Sequence, residues 1–281
     1  MHFETLVRGH GLVEGPRVDA DGALYFSDVV RGGVFRRTPD GQVETVVPRR
    51  RGVGGIALHA DGGIVVSGRN ICHVRDGQTR VLFARDDIPG FNDLFTDEAG
   101  RVYTGSMMSD PFSGGGERVM GECFRIDGEG RAEALYGDVS LSNGIGFLPG
   151  GRTLVHADTA RQHIVAHDVD DAGRVSGGRV FARVEGGGRA GGPDGLAVDV
   201  EGGVWVAVYG AGAVHRYAPD GSLERSIDVP ARAVTSLCFG GADLRDLYVV
   251  SADNTDEPAA EGCIFRTRSD LAGLPAPLAR V

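Results

Sequence analysis

The sequence is short of several things, and each shortage removes a class of explanation. It contains no lysine, so all 29 of its basic residues are arginine, and these are outweighed by 39 acids for a formal charge of −10. A surface of that sign repels nucleic acid and anionic membranes, which excludes both as expected partners. Only four cysteines occur, Cys72, Cys123, Cys238 and Cys263, widely separated and without a C-x-x-C pair. That pattern predicts reduced, buried thiols and neither a disulfide framework nor a zinc knuckle. No apolar run approaches the length of a bilayer crossing. The opening "MHFETLVRGHGLVEGP" lacks a basic segment followed by an apolar core, so the expected location is the cytoplasm. Amphipathic helical periodicity is missing as well. There is no G-x-S-x-G elbow and no H-E-x-x-H helix, which disfavours serine-hydrolase and zincin chemistry.

Glycine is abundant, 46 of 281 residues, and it recurs beside aspartate between short apolar runs. Six segments align through such a turn. They are "EGPRVDADGALYFSD" from Glu14, "GGIALHADGGIVVSG" from Gly54, "NDLFTDEAGRVYTGS" from Asn92, "NGIGFLPGGRTLVHA" from Asn143, "DGLAVDVEGGVWVAV" from Asp194, and "TSLCFGGADLRDLYVVS" from Thr235. Each reads as a hairpin whose second strand is rich in Val, Tyr, Phe or Trp. Another strand pair follows each, such as "GVFRRTPDGQVETVV". The spacing suits four-stranded propeller blades of about 40–50 residues. The predicted fold is therefore an all-β, six-bladed β-propeller with a central metal site. It is expected to form one domain over residues 1–281, with the two chain ends sharing a blade.

Glu14, Gly54, Asn92, Asn143, Asp194 and Thr235 hold one register in successive repeats. The innermost strand of each blade lines the central channel, so equivalent positions form a ring around the axis. Four of the six carry oxygen donors, two of them anionic, a set suited to a hard divalent cation. Taken singly, Asn143-Gly144 and Asp194-Gly195 would read as turn dipeptides, and Glu14 as a solvated acid.

The same stretches, "VEGPRVDADGALYFSD", "FNDLFTDEAGRVYTGSM", "SNGIGFLPGGRTLVHADTARQHI", "GPDGLAVDVEGGVWVAVYGAGAVHRYAPDG" and "TSLCFGGADLRDLYVVSA", resemble the family of senescence marker protein (regucalcin), gluconolactonases and luciferin-regenerating enzyme, across nearly the whole chain. The resemblance implies a six-bladed propeller whose Glu14, Asn143 and Asp194 bind one divalent ion. Ca²⁺ is foremost, with Zn²⁺, Mn²⁺, Mg²⁺ or Fe²⁺ admissible. It implies that Asn92 binds substrate or completes the coordination, that Asp194 is also the general base, and that the reaction opens a lactone by metal-activated attack of water. Asp93 is expected to point into the blade and brace its loop. Two departures from the sugar-lactonase members stand at Gly90, where an arginine is usual, and at Phe95, where a lysine is usual. Losing both donors points toward a less polar lactone or ester.

Further expectations are local. Arg17, beside the Glu14 turn, is a candidate for recognising an anionic group on the substrate, against the plainer reading of a surface arginine. Residues 107–122 are a candidate lid or a plain connection. His59 and His73 lie in the second blade, where Gly54 leaves room at the ring. Organophosphate hydrolysis and a non-catalytic metal-binding module remain as alternatives to lactone hydrolysis, and the chain is expected to be a monomer or homodimer.

Overall fold

The structure is a computed structural model that describes residues 1–109, 118–184, 191–254 and 260–281. The chain opens with strand β1 (Glu4–His10) and then lays down hairpin pairs in order. The first blade contains β2 (Val13–Val18), β3 (Leu24–Asp28), β4 (Val34–Arg37) and β5 (Val43–Val47). The second contains β6 (Ile56–Leu58), β7 (Ile64–Val66), β8 (Ile71–Arg75) and β9 (Gln78–Phe83). The third is β10 (Gly90–Thr96), β11 (Val102–Met107), β12 (Gly121–Ile126) and β13 (Ala132–Val139). The fourth is β14 (Ser142–Phe147), β15 (Thr153–Asp158), β16 (His163–Val169) and β17 (Val175–Arg183). The fifth is β18 (Gly192–Val198), β19 (Val204–Tyr209), β20 (Ala213–Tyr217) and β21 (Leu223–Asp228). The last blade joins β22 (Val234–Gly240), β23 (Asp246–Ser251) and β24 (Gly262–Arg268) to β1, so the two chain ends share one sheet as the repeat spacing predicted.

The inner strands β2, β6, β10, β14, β18 and β22 contact one another in sequence order, and β22 returns to β2. All six sheets are antiparallel, and no described residue is helical. No helix is long enough and apolar enough to cross a membrane. Burial grades outward along each blade: every residue of β22 is buried, whereas β5 and β13 are mostly exposed. The two innermost strands of a blade are covered on both faces by neighbouring blades, which is why they read as near-continuous apolar runs such as "VWVAV" in β19.

The core consists of clusters between adjacent blades. Trp205 meets Leu237 and Val249, Phe91 and Phe124 meet Val65, and Phe26 meets Val250 and Ile264. The recurring Asp-x-x-Gly turn has a simple cause. Asp19, Asp97 and Asp199 each accept, through a side-chain oxygen, the N–H four residues on, at 2.8–3.0 Å. Gly22, Gly100 and Gly202 take the positive φ (81–83°) that closes the turn.

The four cysteines are free and buried, with Cys123 and Cys238 pushed up to about 12 by burial, so neither is a ready thiolate. The final segment crosses the channel at the end remote from the Glu14 ring. Leu274 N–H bonds Val198 O, Ala279 N–H bonds Leu58 O, and Arg280 N–H bonds Gly100 O, each at 2.8 Å.

Candidate functional site at the channel mouth

A defect in strand pairing aims the ring residues inward. The registers of β2–β3, β10–β11, β14–β15 and β18–β19 slip between Glu14 and Arg17, Phe91 and Leu94, Ser142 and Ile145, and Pro193 and Leu196. A bulge re-aims a side chain while the strand continues. Thus Asn143-Gly144 and Asp194-Gly195 lie inside strands, and the turn reading of those dipeptides does not hold. Their glycines are needed for closeness: a Cβ on Gly144 would sit 2.5 Å from the Leu196 amide nitrogen, and one on Gly195 2.0 Å from Ser236 Oγ. Small hydroxyls support the bulges. Ser27 Oγ donates to Val53 O at 2.6 Å and lies 3.3 Å from Glu14 O, Thr104 Oγ1 donates to Asp93 O, and Thr235 Oγ1 donates to Val13 O. Thr235 therefore braces the neighbouring blade through its side chain.

The structure brings the other ring residues together. Asn92 Nδ2 donates to Asn143 Oδ1 at 3.1 Å and to Ser142 O at 2.8 Å. Glu14, Asn143 and Asp194 are each 6–8% exposed, buried in the ring but not sealed from it. Burial raises the Glu14 carboxyl well above the usual carboxylate range, and the charges of Asp194 and Asp93 raise it further, against the Gly15 N–H and Arg17. The Asp194 carboxyl is raised by burial and by Asp93. Its Oδ1 is buried and has no hydrogen-bond partner. Two buried acids that repel each other, one with a bare oxygen, form a site short of positive charge.

Three sequence expectations change. Arg17 is neither a surface residue nor a free substrate contact: it is 5% exposed, and its guanidinium donates to Pro16 O (2.7 Å) and Leu94 O (3.1 Å). It also pairs with Asp93 at 3.8 Å and covers the Phe95 ring at 5.5 Å. Its job is to hold the inner strands of blades one and three together. Asp93 does brace its loop, accepting the Leu94 N–H at 2.7 Å, but it also faces the ring acids. Burial raises it to about 6, despite Arg17 and that N–H. The space left by Gly54 is filled by protein, since a Cβ there would lie 2.1 Å from Asn92 Oδ1.

Gly90 lies at the mouth end of β10, opposite Met107. Phe95 sits five residues along, near Ala276 and Pro277 of the C-terminal segment. Half of the candidate lid 107–122, residues 110–117, lies outside the described residues. His59 is committed to Val281 O and stacks on His73 at 3.9 Å, far from the ring acids in role.

Sequence reasoning missed the apolar side of the mouth. Leu12, Ala233 and Ala252 form a buried cluster with Val29 and Tyr209 packed on it, all at the Glu14 end of blades one, five and six. The Tyr209 hydroxyl is raised by burial and then by the Asp194 charge, which places it near that carboxylate. Among the described residues no group of three or more His, Cys, Asp or Glu is arranged as a metal cluster. The axis instead offers two carboxylates and two carboxamides.

This ring, reached through six blades with their closing strand pair, can be compared with known proteins. The model of the SMP-30/Gluconolactonase/LRE-like region matches residues 12–253, a span that begins just before Glu14 and contains every ring residue. The chain belongs to this family. It is 34% identical to 6-deoxy-6-sulfogluconolactonase of Pseudomonas putida over 91% of this chain and 90% of that protein. It is 34% identical to pentonolactonase XacC of Haloferax volcanii, covering 93% and 88%. Among solved structures, a calcium-binding regucalcin from Agrobacterium tumefaciens superposes with a TM-score of 0.87 at 25% identity, covering 99% of this chain and 97% of that one. The six-bladed family fold agrees with the repeat count made from sequence.

Proposed function

We propose that this SMP-30/gluconolactonase-family chain is a lactonase that depends on one divalent cation held by Glu14, Asn143 and Asp194. The observation that carries the reading is the bare, buried Asp194 Oδ1 beside a second raised acid. Removing two carboxylates from water without a counter-charge costs several kcal/mol per ion, of order, in real proteins. Arg17 is tied to Asp93 and to two carbonyls and so offsets little of this. The donors are hard oxygens, which favours Ca²⁺, with Mn²⁺, Mg²⁺, Zn²⁺ or Fe²⁺ also fitting the donor chemistry. Relatives named as lactonases, and one named as calcium-binding, support the same reading.

When bound, the cation would supply positive charge to polarise the lactone carbonyl. Asn92 holds its amide toward Asn143, and in this reading it orients the substrate. Asp194 accepts the proton of the attacking water at a carboxylate oxygen. The acyl–oxygen bond then breaks, and the departing ring oxygen takes up a proton. One water is consumed, and one hydroxy acid is released. The half-buried Val29 and Tyr209, together with the absent side chain at Gly90, favour a less polar lactone than an aldonolactone. An organophosphate ester is the second reading, since the same polarised centre and base serve phosphorus.

The test is turnover of aldono-, alkyl and aromatic lactones and a phosphotriester after chelation and readdition of each metal. Metal-dependent lactone opening supports the proposal. Metal-independent turnover overturns the mechanism, and no turnover of any substrate with any metal favours a binding module.

A further inference from the structure

We infer that Thr159, the first residue after β15, is the positioning residue that fixes the amide of Asn143 with its oxygen toward Asn92 and ties that amide to the strand carrying Asp194. The inference rests on the cation reading above. It follows from counting hydrogens along one chain of bonds. Asn92 Nδ2 donates to Ser142 O, a backbone carbonyl that can only accept, so the nitrogen of that amide must face blade four. The same nitrogen donates to Asn143 at 3.1 Å, so the Asn143 atom it meets is the carbonyl Oδ1. At the other end, Thr159 Oγ1 donates its one hydrogen to Pro193 O at 2.6 Å, again a carbonyl that can only accept. The hydroxyl is then left as an acceptor for Asn143 Nδ2, at 2.9 Å. Both ends of the relay are backbone, and only one sense of the Asn143 amide satisfies every link.

The backbone around Thr159 makes the clamp stiff. Its N–H donates to Leu141 O at 3.0 Å, two residues before Asn143, and its carbonyl accepts from Gln162 N–H at 3.2 Å. A Cβ on Gly192 would lie 2.5 Å from Thr159 O, so glycine there lets β18 approach close enough for Pro193 to receive the hydroxyl. Thr159 thus joins the strand bearing Asn143 to the residue directly before Asp194. It touches neither substrate nor the expected ion and acts through the two ligands. Outer partners that orient a ligand commonly affect metal affinity by about 10–100-fold.

The test compares wild type with Thr159→Val, which keeps the branched shape and removes the hydroxyl, and with Thr159→Ser, which keeps the hydroxyl. Asparagine occurs only at positions 70, 92, 143 and 254, so asparagine-selective ¹⁵N labelling resolves the Asn143 side-chain amide. In the metal-free protein, T159V is expected to speed hydrogen exchange of that amide by about fivefold or more, the scale of one lost hydrogen bond. T159S is expected to leave it unchanged. Titration with Mn²⁺ alone, followed by the free-ion paramagnetic resonance signal, is expected to show about 10–100-fold weaker binding in T159V and rescue in T159S.

Unchanged exchange and unchanged Mn²⁺ affinity in a folded T159V overturn the inference. Equal losses in T159V and T159S also overturn it, because packing and not the hydroxyl would then be the cause. If the wild type takes up no divalent ion, the proposed function fails, and the metal-free exchange result alone decides Thr159.

Discussion

Two aspartates of the fifth blade, Asp194 near the start of inner strand β18 and Asp199 just past its end, are treated in opposite ways. Asp199 is fully buried, yet every direction it faces is answered. It accepts from the Trp205 indole and from Arg216 Nε, each at 2.7 Å, and from the N–H groups of Glu201 and Gly203. Arg216 is itself held by Glu201 and Glu224. Asp194 has an orphaned oxygen and a second acid for company. The scaffold can therefore satisfy a buried carboxylate completely where only folding is at stake. Five residues earlier it leaves an oxygen bare, and the proposed ligand site at the mouth rests on that difference.

Substituting the two aspartates alike separates them most sharply. Asp194→Asn is expected to lower kcat/KM by about 10²–10⁴-fold, the usual range for losing a general base. The metal-free protein should melt no lower at pH 8, because a repelled charge has gone. Asp199→Asn leaves Arg216 short of its partner and is expected to cost about 3–5 kcal/mol of stability by denaturant unfolding. Equal stability losses in the two variants would erase the contrast.

A cation should act at one end of this strand alone, and pH sets by how much. In the metal-free chain Glu14 and Asp194 have raised carboxyls, so the unfolded chain ionises first as pH rises. Their contribution to stability is present in acid and lost as pH climbs through the raised values. Saturating Ca²⁺ is therefore expected to raise the melting temperature more at pH 8 than at pH 5. At a free concentration of 100 times its dissociation constant the gain is about 2.7 kcal/mol. The increment should vanish in Asp194→Asn and persist in an Asp199 variant that still folds.

A buried group of the opposite kind sharpens the comparison further. His156 lies behind Asn143, bonded to Ser142 Oγ at 2.8 Å and to the Tyr136 hydroxyl at 2.7 Å. Burial, then the neighbouring His167 and His163, lowers it to about 3. The folded chain keeps this imidazole neutral where the unfolded chain protonates it. Its stabilising effect is full above about pH 6.5 and is lost as pH falls toward 3, about 2 kcal/mol by pH 5. His156→Gln should flatten that acid slope in thermal melts, and an unchanged slope would place the titration elsewhere.

The smallest expected effect is at the ring position with no side chain. Gly54→Ala drives a methyl into Asn92 Oδ1, with the Asn92 backbone carbon only 3.2 Å away. Overpacking of this kind costs about 1–3 kcal/mol. KM is expected to rise more than kcat falls, because the proposed function gives Asn92 the orienting of substrate and Asp194 the proton.

The blades were legible in the sequence because Gly-rich turns recur at blade spacing, and in the first, third and fifth blades a local bond such as Ala23 N–H to Asp19 fixes the Asp-x-x-Gly form. The ring was legible because symmetry converts equal register into shared space, so Glu14, Asn143 and Asp194 could be grouped without coordinates. The same logic misread what the glycines do. Asn-Gly and Asp-Gly carry a turn signature, whereas Gly144 and Gly195 are set by a neighbouring blade that no local pattern reveals. Arg17 looked exposed for a related reason. Its partners, Leu94 and Asp93, lie more than 70 residues away, and alternation along β2 says nothing of blade three. Thr159 lies outside the repeat register altogether, and its hydroxyl gains meaning only from Pro193 and Asn143.

Manganese anomalous diffraction from a crystal of this chain soaked in Mn²⁺ would test the central claim most directly. The account expects one strong peak on the propeller axis, at about 2.0–2.6 Å from oxygens of Glu14, Asn143 and Asp194 together. A peak held by other residues, or an axis without one at saturating Mn²⁺, would contradict it.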